Sequence, residues 1–86
     1  MVSWSQVRGH ALHFSQSSVG CRTLQQILLN STYLVADEMY LELRPAIGMI
    51  MSDEYGNYLF QKLLVATSHE KKKMLVSVVE IVMEVI

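Results

Sequence analysis

Cysteine is almost absent from this sequence, and so is an excess of charge of either sign. The one cysteine, Cys21, has no disulfide partner within the chain, which suits the reducing interior of a cell. Lysine and arginine total 7 and aspartate and glutamate 8, so the net charge of −1 provides no overall attraction for nucleic acid. The first ten residues, MVSWSQVRGH, lack the apolar segment of a secretory signal. We therefore expect a cytoplasmic protein.

Long hydrophobic runs are also missing. The most apolar segment, MLVSVVEIVMEVI, contains Glu80 and Glu84 and is shorter than the roughly 20 residues that cross a bilayer. Alternating runs of β-branched residues are too few to predict strands. The sequence does have a high apolar fraction, 51% of 86 residues, which must be buried within one small domain at most. These features predict an all-α fold.

Apolar spacing and capping residues divide the chain into helices. SWSQVRGHALHFS is predicted as one helix, and Ser17 and Ser18 then offer a turn and an N-cap for a helix from about Gly20 to Leu29. YLVADEMYLEL is the next, ending before Pro45 because the residue preceding a proline is pushed out of the α region. Three further helices are predicted in PAIGMIM, in GNYLFQKLLVA and after TSHE, which forms a capping box between Thr67 and Glu70.

A 36-residue period organises these helices. GCRTLQQILL begins at Gly20 and GNYLFQKLLV at Gly56, and both have glycine first, glutamine sixth and leucine ninth. The same offset pairs several other positions: Arg8 with Arg44, Phe14 with Ile50, Leu24 with Phe60, Ile27 with Leu63 and Leu28 with Leu64. A helical period of this length indicates a stacked α-solenoid. The core is predicted to contain Leu24, Leu28, Phe60 and Leu64.

The repeated helix presents a polar face. Residues i, i+1 and i+4 fall within about 100° of helix arc, so one face carries Cys21, Arg22 and Gln25 and its counterpart carries Asn57, Tyr58 and Gln61. Each set has one flat group, a guanidinium or a phenol ring, and flat groups can stack on nucleobases. Glutamine and asparagine can form paired hydrogen bonds with base edges. These residue types predict contact with bases.

The segments SVGCRTLQQIL and SDEYGNYLFQKLL resemble the RNA-reading helices of Pumilio-type (PUF) repeats. The second match is close, whereas in the first Ser17, Ser18 and Val19 replace the usual acid-x-aromatic turn. The resemblance implies a right-handed α-solenoid of two three-helix repeats of about 36 residues, forming one partial repeat domain over residues 1–86. Repeat one would cover about residues 8–43 and repeat two about 44–80, with 81–86 beginning a further helix or a truncated repeat.

The resemblance also implies a role for each residue of the two sets. Cys21 and Gln25 would contact the edge of an adenine with Arg22 stacking, and Asn57 and Gln61 would contact the edge of a uracil with Tyr58 stacking. Because the chain of this family runs antiparallel to its RNA, the implied dinucleotide is 5′-UA-3′. The implied function is sequence-specific binding of single-stranded RNA, in the 3′ untranslated region of mRNA, with post-transcriptional or translational regulation and protein co-repressors as further partners.

The alternative is a helical-repeat scaffold that binds proteins and no RNA, which the near-neutral charge also fits. An enzyme is not expected, because a Cys21–His13 dyad would lack an orienting third group and oxyanion donors. His10 and His13 are three residues apart but have no further ligand to make a metal site, and no cofactor, DNA or membrane is expected as a partner. The last helix is predicted to expose an apolar face for self-association, formed by Leu75, Val79, Val82 and Met83.

Overall fold

A computed structural model of the protein describes the backbone of residues 2–85 and the side chains of residues 2–77. Helices and turns account for this part of the chain, which contains no strand. The α-helices are α1 (Trp4–Val7), α2 (Ala11–Phe14), α3 (Ser18–Leu29), α4 (Tyr33–Leu43), α5 (Ile47–Ser52), α6 (Gly56–Ala66) and α7 (His69–Val85), with a 3-10 turn, Arg44–Ala46, between α4 and α5. The all-α prediction is confirmed.

Six of the seven α-helices form two units of three, and α1 precedes the first unit. In the first unit α2 packs against both α3 and α4, and in the second α5 packs against α6, which contacts α7. Among the described residues, the most extensive contact between two helices joins α3 to α6, the second helix of each unit. The two repeated helices therefore lie side by side and hold the units together.

Two glycines allow the first and second helices of each unit to approach closely. A Cβ atom on Gly20 would lie 1.7 Å from the carbonyl oxygen of Phe14, and one on Gly56 would lie 2.6 Å from the carbonyl oxygen of Ile50. Phe14 and Ile50 are themselves 36 residues apart. The glycine in the first turn of each repeated helix is thus explained by the backbone that passes close to it.

A polar residue three positions before each glycine starts the helix in the same way. The Ser17 hydroxyl accepts a hydrogen bond from the Gly20 N–H at 3.0 Å, and the Asp53 carboxylate accepts one from the Gly56 N–H at 2.7 Å. These bonds satisfy N–H groups that have no partner within the helix. The prediction of an N-cap at the Ser17–Ser18 turn is confirmed, with Ser17 as the cap.

The core follows the 36-residue register. Leu24, Leu28 and Phe60 are buried as predicted, whereas Leu64 is half-buried and its neighbour Leu63 is fully buried instead. The other large, fully buried side chains include Met39 and Leu75, which are also 36 residues apart. Leu75 therefore belongs to the core and does not expose an apolar face as predicted. Val79, Val82 and Met83, the other residues of that predicted face, lie outside the described side chains.

The predicted first helix is two short helices. Gly9 has φ +88°, a left-handed conformation that glycine adopts without strain, and it separates α1 from α2. Trp4, Val7 and Ala11 are nevertheless buried, as their helical spacing indicated, while Phe14 packs partly buried against the core. The break redirects the chain, and the apolar pattern alone did not reveal it.

The predicted capping box at Thr67 and Glu70 is wrong. Thr67 ends α6, where its buried hydroxyl donates to the Leu63 carbonyl at 2.8 Å. Ser68 begins α7 instead, and its hydroxyl accepts from the Lys71 N–H at 3.4 Å. The equivalent residue of the first unit, Ser31, donates to the Ile27 carbonyl at 2.6 Å. Thr67 therefore makes the same bond to the preceding helix as its counterpart in the first unit does.

Acidic residues of α4 join neighbouring segments. The Glu42 carboxylate accepts from the N–H groups of Gly9, at 2.8 Å, and Ala11, at 3.0 Å, and so caps α2 from outside. The Glu38 carboxylate accepts from the Trp4 indole N–H at 2.6 Å and pairs with the Arg8 guanidinium at 3.3 Å. Asp37 accepts from the Ser68 N–H at 2.9 Å. These bonds fix α4 against both ends of the described fold.

No helix within residues 2–85 combines the length and the apolar character that crossing a membrane requires.

Candidate nucleic-acid interface

An open groove lies between the first turns of α3 and α6. Its volume is about 310 Å³, and it is lined by Ser18, Cys21, Arg22, Gln25, Tyr55 and Tyr58. Three of these residues are the predicted set of the first repeat, and Tyr58 is the predicted stacking residue of the second. The contact between α3 and α6 thus brings residues of both predicted sets to one surface.

The two flat side chains occupy equivalent places on neighbouring helices. Arg22 and Tyr58 are both exposed, and the Tyr58 side chain is 58% accessible although it is a large aromatic. Gly20 and Gly56 each donate to a side chain three positions earlier, and each lies close to a preceding stretch of backbone. The residues two positions after these glycines therefore occupy equivalent places on their helices. A planar ligand can lie between a guanidinium and a phenol ring in this arrangement.

Cys21 contributes to the groove from a buried position. Its side chain is only 1% exposed, and its thiol donates to the Ser15 carbonyl at 3.2 Å. Burial, and secondarily the negative charge of Asp53, raise the pKa of the Cys21 thiol. A raised pKa is the opposite of what activates a cysteine nucleophile, so the structure argues against the Cys21–His13 dyad and shows Cys21 as a small buried hydrophobe at the edge of the groove.

Asn57 and Gln61 are joined to each other and to the turn before α6. The Asn57 amide nitrogen donates to the carbonyls of Asp53, at 2.9 Å, and Glu54, at 2.8 Å. The Gln61 amide nitrogen donates to the Asn57 side-chain oxygen at 3.4 Å. The anchored Asn57 amide therefore directs its oxygen toward Gln61. Because these two groups bond to each other, what remains for a ligand is the second lone pair of the Asn57 oxygen and the second N–H of the Gln61 amide.

Two residues that line the groove were not predicted from the sequence, Ser18 and Tyr55. Tyr55 lies just before α6 and is 49% exposed. The sequence signal for it is the acid-x-aromatic turn, which the second repeat has and the first lacks, with Val19 in the equivalent position. The spacing rule for one helix face missed Tyr55 because this residue reaches the groove from the neighbouring repeat.

Metal binding has no support among the side chains of residues 2–77. No three histidine, cysteine, aspartate or glutamate residues of this part of the chain come together where an ion could bind. His10 and His13 are both exposed.

The fold and the groove together define a helical-repeat protein whose equivalent second helices form a polar surface with exposed planar side chains. Two stretches of the chain, residues 10–42 and 47–80, match the family model of the Pumilio-family RNA binding repeat. The matched stretches coincide with the two structural units. The chain belongs to the Pumilio family of RNA-binding repeat proteins.

Individual relatives agree with this assignment. The chain is 33% identical over 78 residues to pumilio homolog 10 of Arabidopsis thaliana, an alignment that covers 91% of this chain and 15% of that protein. It is 36% identical over 64 residues to a Pumilio domain-containing protein of Schizosaccharomyces pombe, covering 74% of this chain and 8% of the relative. The chain thus spans a small fraction of the length of these relatives. No solved structure shows significant similarity to it.

Proposed function

We propose that the surface between α3 and α6 binds single-stranded RNA and reads its sequence. The observation that carries this proposal is the common groove, in which Arg22 and Tyr58 stand exposed at equivalent positions beside the polar Gln25. Asn57 and Gln61 of repeat two are not among the residues that line this groove. Stacking between planar side chains tolerates any base, whereas the neighbouring polar atoms distinguish one base edge from another. A scaffold that binds only proteins has no need for both features at both positions.

The proposed base assignments are adenine for repeat one and uracil for repeat two. In repeat two, the remaining lone pair of the Asn57 oxygen and the remaining N–H of the Gln61 amide complement the N3–H of uracil and a neighbouring carbonyl. In repeat one, the buried thiol of Cys21 offers a small surface beside the amide of Gln25. With the chain antiparallel to the RNA, the sequence read is 5′-UA-3′. The proposed biological targets are mRNA 3′ untranslated regions, with an effect on translation.

The affinity expected for two bases is low. Base stacking contributes roughly 1–3 kcal/mol per base, so two bases provide about 2–6 kcal/mol. Since 4.1 kcal/mol corresponds to a Kd of 1 mM, binding is expected near the millimolar range. NMR titration of the ¹⁵N-labelled protein with a short RNA containing UA is suited to this range. The amide signals of Arg22, Gln25, Asn57, Tyr58 and Gln61 should shift together and saturate.

The stacking role can be separated from general surface effects. Tyr58→Ala should weaken binding to all RNA sequences by a similar factor, because stacking does not depend on base identity. Tyr33→Ala is the matched control, since Tyr33 is 56% exposed and Tyr58 is 58% exposed. The control should bind RNA as the wild type does.

The reading role can be tested by changing the predicted base. Asn57→Ser with Gln61→Glu removes the amide pair and supplies a carboxylate that accepts from the N1–H and N2–H₂ donors of guanine. The preference at that position should move from U to G by roughly 1–3 kcal/mol, while the preference for A at the neighbouring position stays. Gln26→Glu adds the same charge at an exposed position of α3 and should leave both preferences unchanged. An unaltered preference for U in the double variant, or an equal change for all four bases, would contradict base reading by Asn57 and Gln61.

A further inference from the structure

Tyr55 connects the base-reading surface of repeat one to the next repeat. By chain position it belongs to repeat two, in the turn that precedes α6. By location it lines the groove with Cys21 and Gln25, the two residues assigned to the base edge in repeat one. No role in base contact has been assigned to it above.

The turn that carries Tyr55 is held in place by its own hydrogen bonds. The Asp53 carboxylate accepts from the Tyr55 N–H at 2.9 Å and from the Gly56 N–H at 2.7 Å. The Asn57 amide donates to the backbone carbonyls of Asp53 and Glu54. A turn fixed at both its side chains and its backbone presents the Tyr55 ring with little loss of conformational freedom on binding.

An electrostatic observation places the same turn beside the base site. The charge of Asp53 is close enough to Cys21 to contribute to the raised pKa of its thiol. The turn of repeat two therefore lies near Cys21, one of the α3 residues that line the groove. This agrees with the position of Tyr55 in the groove lining.

The exposed ring of Tyr55 suits contact with a nucleobase. Aromatic side chains combine a large contact area with few rotatable bonds, and their faces accept any base. Resting on the RNA-binding function proposed above, we infer that Tyr55 forms a wall of the base site of Cys21 and Gln25, so that one base is held by residues of two repeats. The contact is made by the aromatic ring, and the hydroxyl is not required.

The equivalent position of repeat one shows that this contact is not a general feature of the chain. Val19 stands where repeat two has Tyr55, and its side chain is 72% exposed. Val19 has no aromatic face, so it cannot provide the same contact on its own side of α3. The wall belongs to the junction between the two repeats.

Titration of three variants with the UA-containing RNA tests the inference. Tyr55→Ala should weaken binding roughly fivefold or more, as expected for the loss of one aromatic contact with a base. Tyr55→Phe should bind as the wild type does, because it retains the ring. Tyr33→Ala, the exposed control, should also bind normally. With an abasic nucleotide in place of A, the difference between Tyr55→Ala and the wild type should disappear, whereas an abasic nucleotide in place of U should preserve it.

A photocrosslink provides a second readout that does not depend on a substitution. RNA with 8-azidoadenine at the A position should form an adduct with Tyr55 that mass spectrometry locates, and RNA with a photoreactive uracil at the U position should not. Normal binding by Tyr55→Ala together with weakened binding by Tyr58→Ala would overturn the inference and leave the proposed function standing. If the wild type gives no saturating shifts with any RNA, the proposed function fails, and the inference fails with it.

Discussion

Substitution of Gly20 by alanine tests the closest approach in the fold. A Cβ atom there would lie 1.7 Å from the Phe14 carbonyl oxygen and 2.6 Å from the carbonyl carbon. Because both atoms belong to the backbone, no rotation of a side chain can relieve the overlap. The end of α2 would have to move away from α3 by roughly 1.5 Å or more to restore van der Waals separation. Such a shift disturbs every contact between these two helices.

The folding stability lost by Gly20→Ala is expected to be large for a protein of this size. Overpacking typically costs about 1–3 kcal/mol and occasionally more, and a forced displacement of backbone places Gly20→Ala at about 3 kcal/mol or above. Domains have about 0.05–0.15 kcal/mol of stability per residue, so this change removes a major part of the total. At about 4–8 °C per kcal/mol for small domains, Tm should fall by more than about 12 °C.

Two other glycines provide matched controls. A Cβ atom on Gly56 would lie 2.6 Å from the Ile50 carbonyl oxygen, a milder overlap, so Gly56→Ala should cost about 1–3 kcal/mol. Gly48 lies within α5 and has no atom within 4 Å of an added Cβ, so Gly48→Ala should stabilise the protein by about 0.5–1 kcal/mol. Urea denaturation followed by circular dichroism at 222 nm measures all three. A Gly20→Ala protein within 0.5 kcal/mol of wild type, or less destabilised than Gly56→Ala, would refute the close approach.

Three further substitutions have outcomes that follow from single contacts. Glu42→Gln leaves one side-chain acceptor oxygen for two backbone N–H groups at the start of α2. It should lower the unfolding free energy by about 1–2 kcal/mol in urea denaturation. The control Glu54→Gln, at an exposed position, should lower it by less than about 0.5 kcal/mol. Thr67→Val removes the bond to the Leu63 carbonyl with little change of shape and should cost about 1 kcal/mol, which an unchanged Tm would contradict. Folding raises the pKa of the Cys21 thiol. The protonated thiol therefore contributes its full stabilisation below the ordinary thiol pKa, and this stabilisation is lost as pH rises through the pKa that the thiol has in the folded protein. The unfolding free energy of the wild type should therefore fall in alkaline solution, and that of Cys21→Ala should fall less. Equal dependence of the two unfolding free energies on pH would count against this reasoning.

The sequence was most informative where local pattern and the repeat agreed. The bounds of α4 and α6 and the start of α3 follow from apolar spacing, caps and Pro45, because each signal acts within one helix. The 36-residue register correctly paired buried positions such as Leu24 and Phe60. It was less informative for α1 and α2, because a glycine within a helical pattern does not reveal whether it takes the left-handed conformation of Gly9.

Thr67 shows how a local signal can conflict with the repeat. Thr-x-x-Glu is a strong capping pattern, but Thr67 is equivalent to Ser31, which follows the end of α3 and bonds back to it. The 36-residue register therefore predicts Ser68 as the residue that caps α7. The register was more accurate than the capping pattern because the same packing must recur in each unit.

Tyr55 illustrates a different limit of sequence analysis. Its position on the groove depends on how α6 lies against α3, and no spacing within one helix contains that information.

Under the proposed function, the groove between α3 and α6 makes the unit that recognises a base different from the unit that folds. Folding divides the chain at the start of α5, but the surface around Cys21 takes part of its lining from residues beyond that division. Transplanting one repeat into another solenoid would therefore transfer only part of a base site and would alter the lining of its neighbour. Under that proposal, specificity belongs to adjacent pairs of repeats. Each base would then be assigned to the junction between two repeats and not to a single repeat.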